Sequence, residues 1–162
     1  MLIEMSVQGL VVDPLTNMPI VMLKDKDGER RLPIWVGIFE ANAIALQIEN
    51  IATPRPMTHD LLRNIITDLD GRVERVVVSD LKENTFYAII HLTVRGESIA
   101  IDARPSDAIA LALRTRSPIL VEEAVIENAR HVECPPTDRG DSDRLQKWLE
   151  DLHPDDMGKY KM

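Results

Sequence analysis

Apolar and polar residues alternate in the first segment, "LIEMSVQGLVV" at 2–12. Ile3, Met5 and Val7 share one side, which predicts a strand, and Gly9 predicts a bulge in it. "DPLTN" at 13–17 reads as a turn and "MPIVMLKD" as a second strand. Asp27-Gly28 suits the positive φ angles of a hairpin turn. "RRLPIWVG" is a third strand, and Pro33 assigns it to an edge or a bulge.

The period then changes to helical. In "IFEANAIALQIENI", 38–51, Ala41, Ile44, Ala45, Ile48 and Ile51 recur at spacings of three and four. "ATPRPM" breaks this helix. Thr58 opens another, with Leu61, Leu62, Ile65, Ile66 and Leu69 on one side and Gly71 as its stop. Three more strands follow, "RVERVVVSDL", "TFYAIIHLTVR" and "ESIAID", with Arg95-Gly96 as a tight turn. "SDAIALALRTR" is a helix whose Arg114 and Arg116 suit its C-terminal dipole end. "SPILVEE" is a short strand and "EAVIENA" a last short helix.

The order βββ-αα, βββ-α, β-α predicts an α+β fold. It implies a mixed, mainly antiparallel sheet of meanders with helices packed on it, and a possible βββ-α pseudo-repeat. One domain is expected over 1–133. From Cys134 the chain turns Pro- and Asp-rich, which predicts a linker, a short amphipathic helix and a loose end over 134–162. In that helix Leu145, Trp148, Leu149 and Leu152 form a stripe too short to stand alone. It must dock on this domain or on a protein partner.

Composition narrows the function classes. Hydrophobic residues make up 44% of the 162, enough for a core. No apolar run approaches the ~18 residues of a membrane span, and the N-terminus lacks the pattern of a signal peptide. A single cysteine, Cys134, cannot form an internal disulfide, so a reducing, cytoplasmic setting is expected. The net charge of −8 argues against a broad cationic grip on nucleic acid. An enzyme acting on nucleic acid would need local arginines, and a divalent ion to offset carboxylates and phosphates.

The candidate chemistry gathers in two related stretches, "RPMTHDLL" at 55–62 and "RPSDAIAL" at 104–111. Each opens a helix with Arg-Pro, a hydroxyl and an Asp. Thr58 and Ser106 suit N-caps, and Asp60 and Asp107 suit the positive end of a helix dipole. Capping does not call for Arg55 or Arg104. Either they form internal ion pairs or they present planar forks to a phosphate. "DARPSD" packs Asp102, Arg104, Ser106 and Asp107 where a strand feeds a helix. His59 lies in the sister motif. Glu40 sits early in a helix of Ile and Ala, where a carboxylate is costly unless paired or hydrated. A cluster of Glu40, His59, Asp60, Asp102 and Asp107 would be an oxygen-rich, nitrogen-poor set that suits Mg²⁺ or Mn²⁺, with Glu40, Asp102 and Asp107 as its metal ligands. No local spacing enforces that cluster.

Other motifs are missing. The chain has no Gly-rich phosphate loop, no nucleophile elbow and no zinc partner for Cys134. His91 reads as a satisfied sheet histidine. Aromatic residues are 4%, too few for base-stacking platforms, and Trp35 and Phe39 read as core.

"RLPIWVGIFEANAIAL", "RPMTHDLL" and "DARPSDAIALALR", in this order, resemble the bifunctional nuclease family over about residues 1–130. "LEDLHPDDM" is similar to the end segment of bacterial members. The resemblance implies a compact α+β domain with DNase and RNase activity. Chemistry then assigns catalytic work to His59, Asp60, Asp102, Arg104 and Arg55, and metal binding to Asp102, Asp107 and Glu40. Two other readings stay open. The same pocket could bind an anionic ligand in a non-enzymatic regulatory module. The Arg-Pro motifs could also form salt bridges between subunits of a homo-oligomer.

Overall fold

The computed structural model describes residues 1–130. The expected linker and amphipathic helix of 134–162, with Cys134, lie outside the described residues. Seven strands and four helices follow in chain order. They are β1 (Leu2–Val12), β2 (Pro19–Asp25), β3 (Arg31–Trp35), α1 (Ile38–Ile48), α2 (Thr58–Asp68), β4 (Gly71–Lys82), β5 (Thr85–Val94), β6 (Glu97–Ala103), α3 (Pro105–Thr115), β7 (Ile119–Glu122) and α4 (Glu123–Ala129). The α+β class and the element order match the expectation from sequence. None of the described helices is long and apolar enough to cross a membrane.

All seven strands form one sheet, in the order β3-β2-β1-β7-β4-β5-β6. The two antiparallel meanders are joined by β7, which runs antiparallel to β1 and parallel to β4. Gly9 marks the expected irregularity, since the β1–β2 register shifts between Val7 and Gly9. Pro33 lies on the edge strand β3, where a missing N–H costs no ladder bond if it faces outward. Gly28 has φ 75°, and Arg95 and Gly96 have φ 51° and 83°, so both predicted turns form.

The core sits between one face of the sheet and the helices. Met5, Leu23, Ile34, Val76, Val78 and Ile90 meet Ile44, Ile109, Leu111 and Val125 there. Helix α3 is buried on nearly every side through Ala108–Ala112.

Four local expectations are corrected. Helix α2 ends at Asp68, with Leu69 as its C-cap and Asp70 in the left-handed region (φ 58°), so Gly71 is not the stop. Gly71 begins β4, where any Cβ would crowd the Ile66 carbonyl at 2.9 Å. Thr58 and Ser106 are not N-caps. Met57 and Arg104 hold those positions, which puts the hydroxyls inside the first helical turn. Phe39 is 84% exposed instead of core. The stripe on α2 does not cover the core either, since Leu61, Leu62, Ile65 and Leu69 are all exposed and only Ile66 packs inward.

Candidate active site

Three helices present a carboxylate at the third position of their first turn: Glu40 in α1, Asp60 in α2 and Asp107 in α3. The reason is local. A carboxylate there meets unpaired backbone N–H groups and the positive end of the helix dipole. Asp60 shows the pattern directly, accepting the Met57 N–H at 3.0 Å.

Tertiary packing brings two of these carboxylates to one arginine. Arg104 Nε donates to Asp107 Oδ2 at 2.8 Å, and Nη2 donates to Glu40 Oε1 at 2.7 Å. His59 Nε2 lies 2.8 Å from the other Asp107 oxygen. Glu40, His59, Arg104 and Asp107 therefore form one network across the beginnings of α1, α2 and α3. His59 is buried, while the Arg104 side chain is 66% exposed. Burial alone would raise the Asp107 pKa. The bonds to Arg104 and His59 outweigh it and hold that carboxyl below its ordinary value. The same two carboxylates raise the Arg104 pKa.

Gly37 is part of this arrangement. It precedes α1, and a Cβ there would overlap the Glu40 carboxylate. The carboxylate can fold back over the helix start because position 37 has no side chain. Glu40 Oε2 makes no hydrogen bond among the described residues.

A second arginine, Arg114, does structural work. Its side chain is buried and donates to Asp60 at 2.8 Å, to the Ala110 carbonyl at 2.9 Å and to the Ala43 carbonyl at 2.9 Å. Arg104 links Glu40 to Asp107 and Arg114 links Ala43 to Ala110. Each pair is advanced by three residues on both helices, so α1 and α3 run in the same direction and are stapled twice. Asp60 holds its charge through this contact. Burial would raise its pKa, but the Met57 N–H and Arg114 bring it below the usual value. From sequence, Arg114 is expected only at the dipole end of α3. The available signal was the run "AIALAL", which marks a helix buried all round, where a charged side chain must find a partner.

One cavity borders the network at Arg104 and another lies at the Asp60–Arg114 pair. The larger, about 610 Å³, is lined by Trp35, Gly37, Asn84, Phe86, Arg104 and Ser106, among others. The left-handed pair Glu83 and Asn84 (φ 49° and 60°) forms the β4–β5 turn at its rim. The smaller, about 400 Å³, is lined by Gln47, Asn50, Arg55, Asp60, Arg63 and Arg114, among others.

The predicted residues thus separate. Glu40, His59, Arg104 and Asp107 come together. Asp60 lies against Arg114 one helical turn away, and Arg55 lines the smaller cavity, apart from Arg104. Asp102 is exposed on the edge strand β6, paired with Ile89, with no bond to Glu40 or Asp107. Among the described residues no three of His, Cys, Asp and Glu stand together as a metal cage.

The bifunctional nuclease domain family matches residues 21–133. An uncharacterized protein of Mycobacterium tuberculosis is 39% identical over 162 residues, covering 95% of this chain and 97% of that protein. Bifunctional nuclease 2 of Oryza sativa subsp. japonica is 30% identical over 122 residues, 73% of this chain and 38% of that protein. Bifunctional nuclease 1 of Arabidopsis thaliana is 28% identical over 109 residues, 65% of this chain and 34% of that protein. The chain therefore spans about a third of the length of the plant nucleases it matches.

Proposed function

Since the chain belongs to the bifunctional nuclease domain family, we propose that it hydrolyses phosphodiester bonds in DNA and RNA, with little sequence preference, where α1, α2 and α3 begin. The observation that carries this reading is Arg104. Its guanidinium is fixed by Glu40 and Asp107, yet mostly exposed at the mouth of the larger cavity. Two of its five N–H donors are used. The remaining donors can hold a non-bridging phosphate oxygen and stabilise the charge that develops on it.

Glu40 Oε2 is the proposed acceptor for the proton of the attacking water. Asp107 positions Arg104, and His59 positions Asp107. Asp60 acts further back, by fixing α2 against α3 through Arg114. Weak sequence preference follows from the scarcity of groups able to read base edges.

Mg²⁺ or Mn²⁺ belongs to the proposal as an ion carried in by the substrate phosphate and its water, since Glu40 Oε1 and both Asp107 oxygens already face Arg104 or His59 and Glu40 Oε2 is the proposed proton acceptor. Glu40 and Asp107 are hard oxygen donors in kind but do not form a three-ligand cage. Such an ion would supply water activation and charge neutralisation. Asp102 remains the nearest further carboxylate along the chain.

The test is cleavage of supercoiled plasmid and of single-stranded RNA by rigorously purified protein, with Mg²⁺, Mn²⁺ or EDTA. Glu40→Gln and Arg104→Lys should each lower cleavage by about 10²-fold, the usual cost of one transition-state contact. Undiminished cleavage by both variants would assign the activity to a contaminant or to another site.

One observation favours a second reading, an anion-binding regulatory module. Arg55, Arg63 and Arg114 outnumber Asp60 in the smaller cavity. Pyrophosphate binding that is abolished by Arg55→Ala, with no cleavage under any metal condition, would favour that module.

A further inference from the structure

The two sheet edges are built differently. Edge strand β3 carries Arg31 and Pro33, residues that discourage strand addition. Edge strand β6, "ESIAIDA", has no proline and no lysine, and none of its register shifts against β5. Ile99 and Ile101 pair with the core-facing Leu92 and Ile90, so they lie on the helix-covered face of the sheet. They are nevertheless 41% and 43% exposed, because no helix reaches over the edge. Helix α2 reaches the end of the sheet where β6 begins. Ile66 of α2 and Val94 of β5 both close on Gly71, and Val94 pairs with Glu97 at the start of β6. Leu61, Leu62, Ile65 and Leu69 of the same helix are exposed as well.

From this we infer that β6 and α2 form a self-association surface, on which β6 pairs antiparallel with β6 of a second copy about a twofold axis at Ala100. The occupant follows from the register. Antiparallel neighbours must keep like faces together, so a one-residue slip is forbidden. With the axis at Ala100, Ile99 lies opposite Ile101 of the second copy, and Ile101 opposite its Ile99. Ser98 lies opposite the second copy's Asp102, a donor facing an acceptor, and the contact occurs twice. Like charges are never opposed. A shift of the axis to Ile99 would set Glu97 against Ile101, and a shift to Ile101 would set Ala100 against Asp102. Only the Ala100 axis satisfies both faces of the strand. It extends two seven-stranded sheets into one and brings the two α2 stripes to the same side of it. Such isologous pairing is the commonest form of homo-oligomer. On this surface Asp102 contacts the second copy.

The test uses the full chain and reads mass instead of activity. Light scattering and sedimentation should give a dimer. Ser98→Asp places two carboxylates opposite each other and should yield a monomer that keeps the native circular dichroism spectrum. Ser98→Lys, opposite Asp102, should retain the dimer. In a Cys134→Ser background, Ala100→Cys should form a disulfide-linked dimer under mild oxidation, and Tyr87→Cys, exposed on the neighbouring strand, should not. A monomeric wild type would overturn the inference, including one in which residues 141–152 of the same chain cover this face. So would a dimer that survives both Ser98→Asp and Ile101→Lys.

Discussion

Arg114 and Asp60, 54 residues apart in the chain, meet at 2.8 Å, and the arginine also takes a carbonyl from each of α1 and α3. One buried guanidinium thereby fixes three helices whose first turns hold the candidate site. Removing it leaves Asp60 Oδ1 and two helix carbonyls without the guanidinium that joins them.

Arg114→Ala should therefore cost on the order of 3 kcal/mol of stability, as expected for breaking a buried pair. Urea unfolding followed by circular dichroism measures it. Arg114→Lys should recover part of the loss, since an ammonium cannot reach all three acceptors in plane. A midpoint unchanged in Arg114→Ala would refute the clamp.

The exposed arginines should behave differently. Arg104→Lys should change stability by no more than ~1 kcal/mol, because the cation itself is largely open to water and lysine keeps its charge beside the two carboxylates. Arg55→Ala should leave the melting curve where it was. Comparing melting and cleavage for Arg, Lys and Ala at both positions separates architecture from phosphate binding. Parallel loss of melting temperature and cleavage at Arg104 would make it a structural residue.

Gly37→Ala tests the placement of Glu40 without touching a charged group. The new methyl group should push the Glu40 carboxylate off the helix start and away from Arg104. Cleavage should fall toward the level of Glu40→Gln while the fold and melting temperature persist. Full activity in Gly37→Ala would mean that this carboxylate takes no part.

The response to pH has a definite sign. Asp60 and Asp107 have pKa values below the ordinary 3.8, so each stabilises the fold above that value and loses the contribution as pH falls through the native pKa. His91 is also lowered, first by burial and then by Arg75. Its folded form resists protonation, so stability is present above about 6.5 and declines as pH falls below it. Melting temperatures from pH 8 to 3 should show an upper decline that disappears in His91→Gln. The further decline near the carboxylate range should shrink in Asp107→Asn. An upper decline of equal size in His91→Gln would remove His91 as its cause.

Periodicity and turn chemistry determined the element order, the irregularity at Gly9, the turns at Gly28 and Arg95-Gly96 and the edge position of Pro33. These are local properties, fixed by backbone sterics and by the alternation of side chains along a strand. The charged residues at the helix starts are local features as well. Only the tertiary structure decided that Arg104 joins Glu40 to Asp107, that Arg55 lines another cavity and that Asp102 stands apart on an edge. It also inserted β7 between the meanders and gave Arg114 its three partners. An apolar stripe such as Leu61–Leu69 reads the same whether it faces a core or open surface. Which one it meets depends on how far the neighbouring layer reaches, and that is set by contacts between residues distant in the chain.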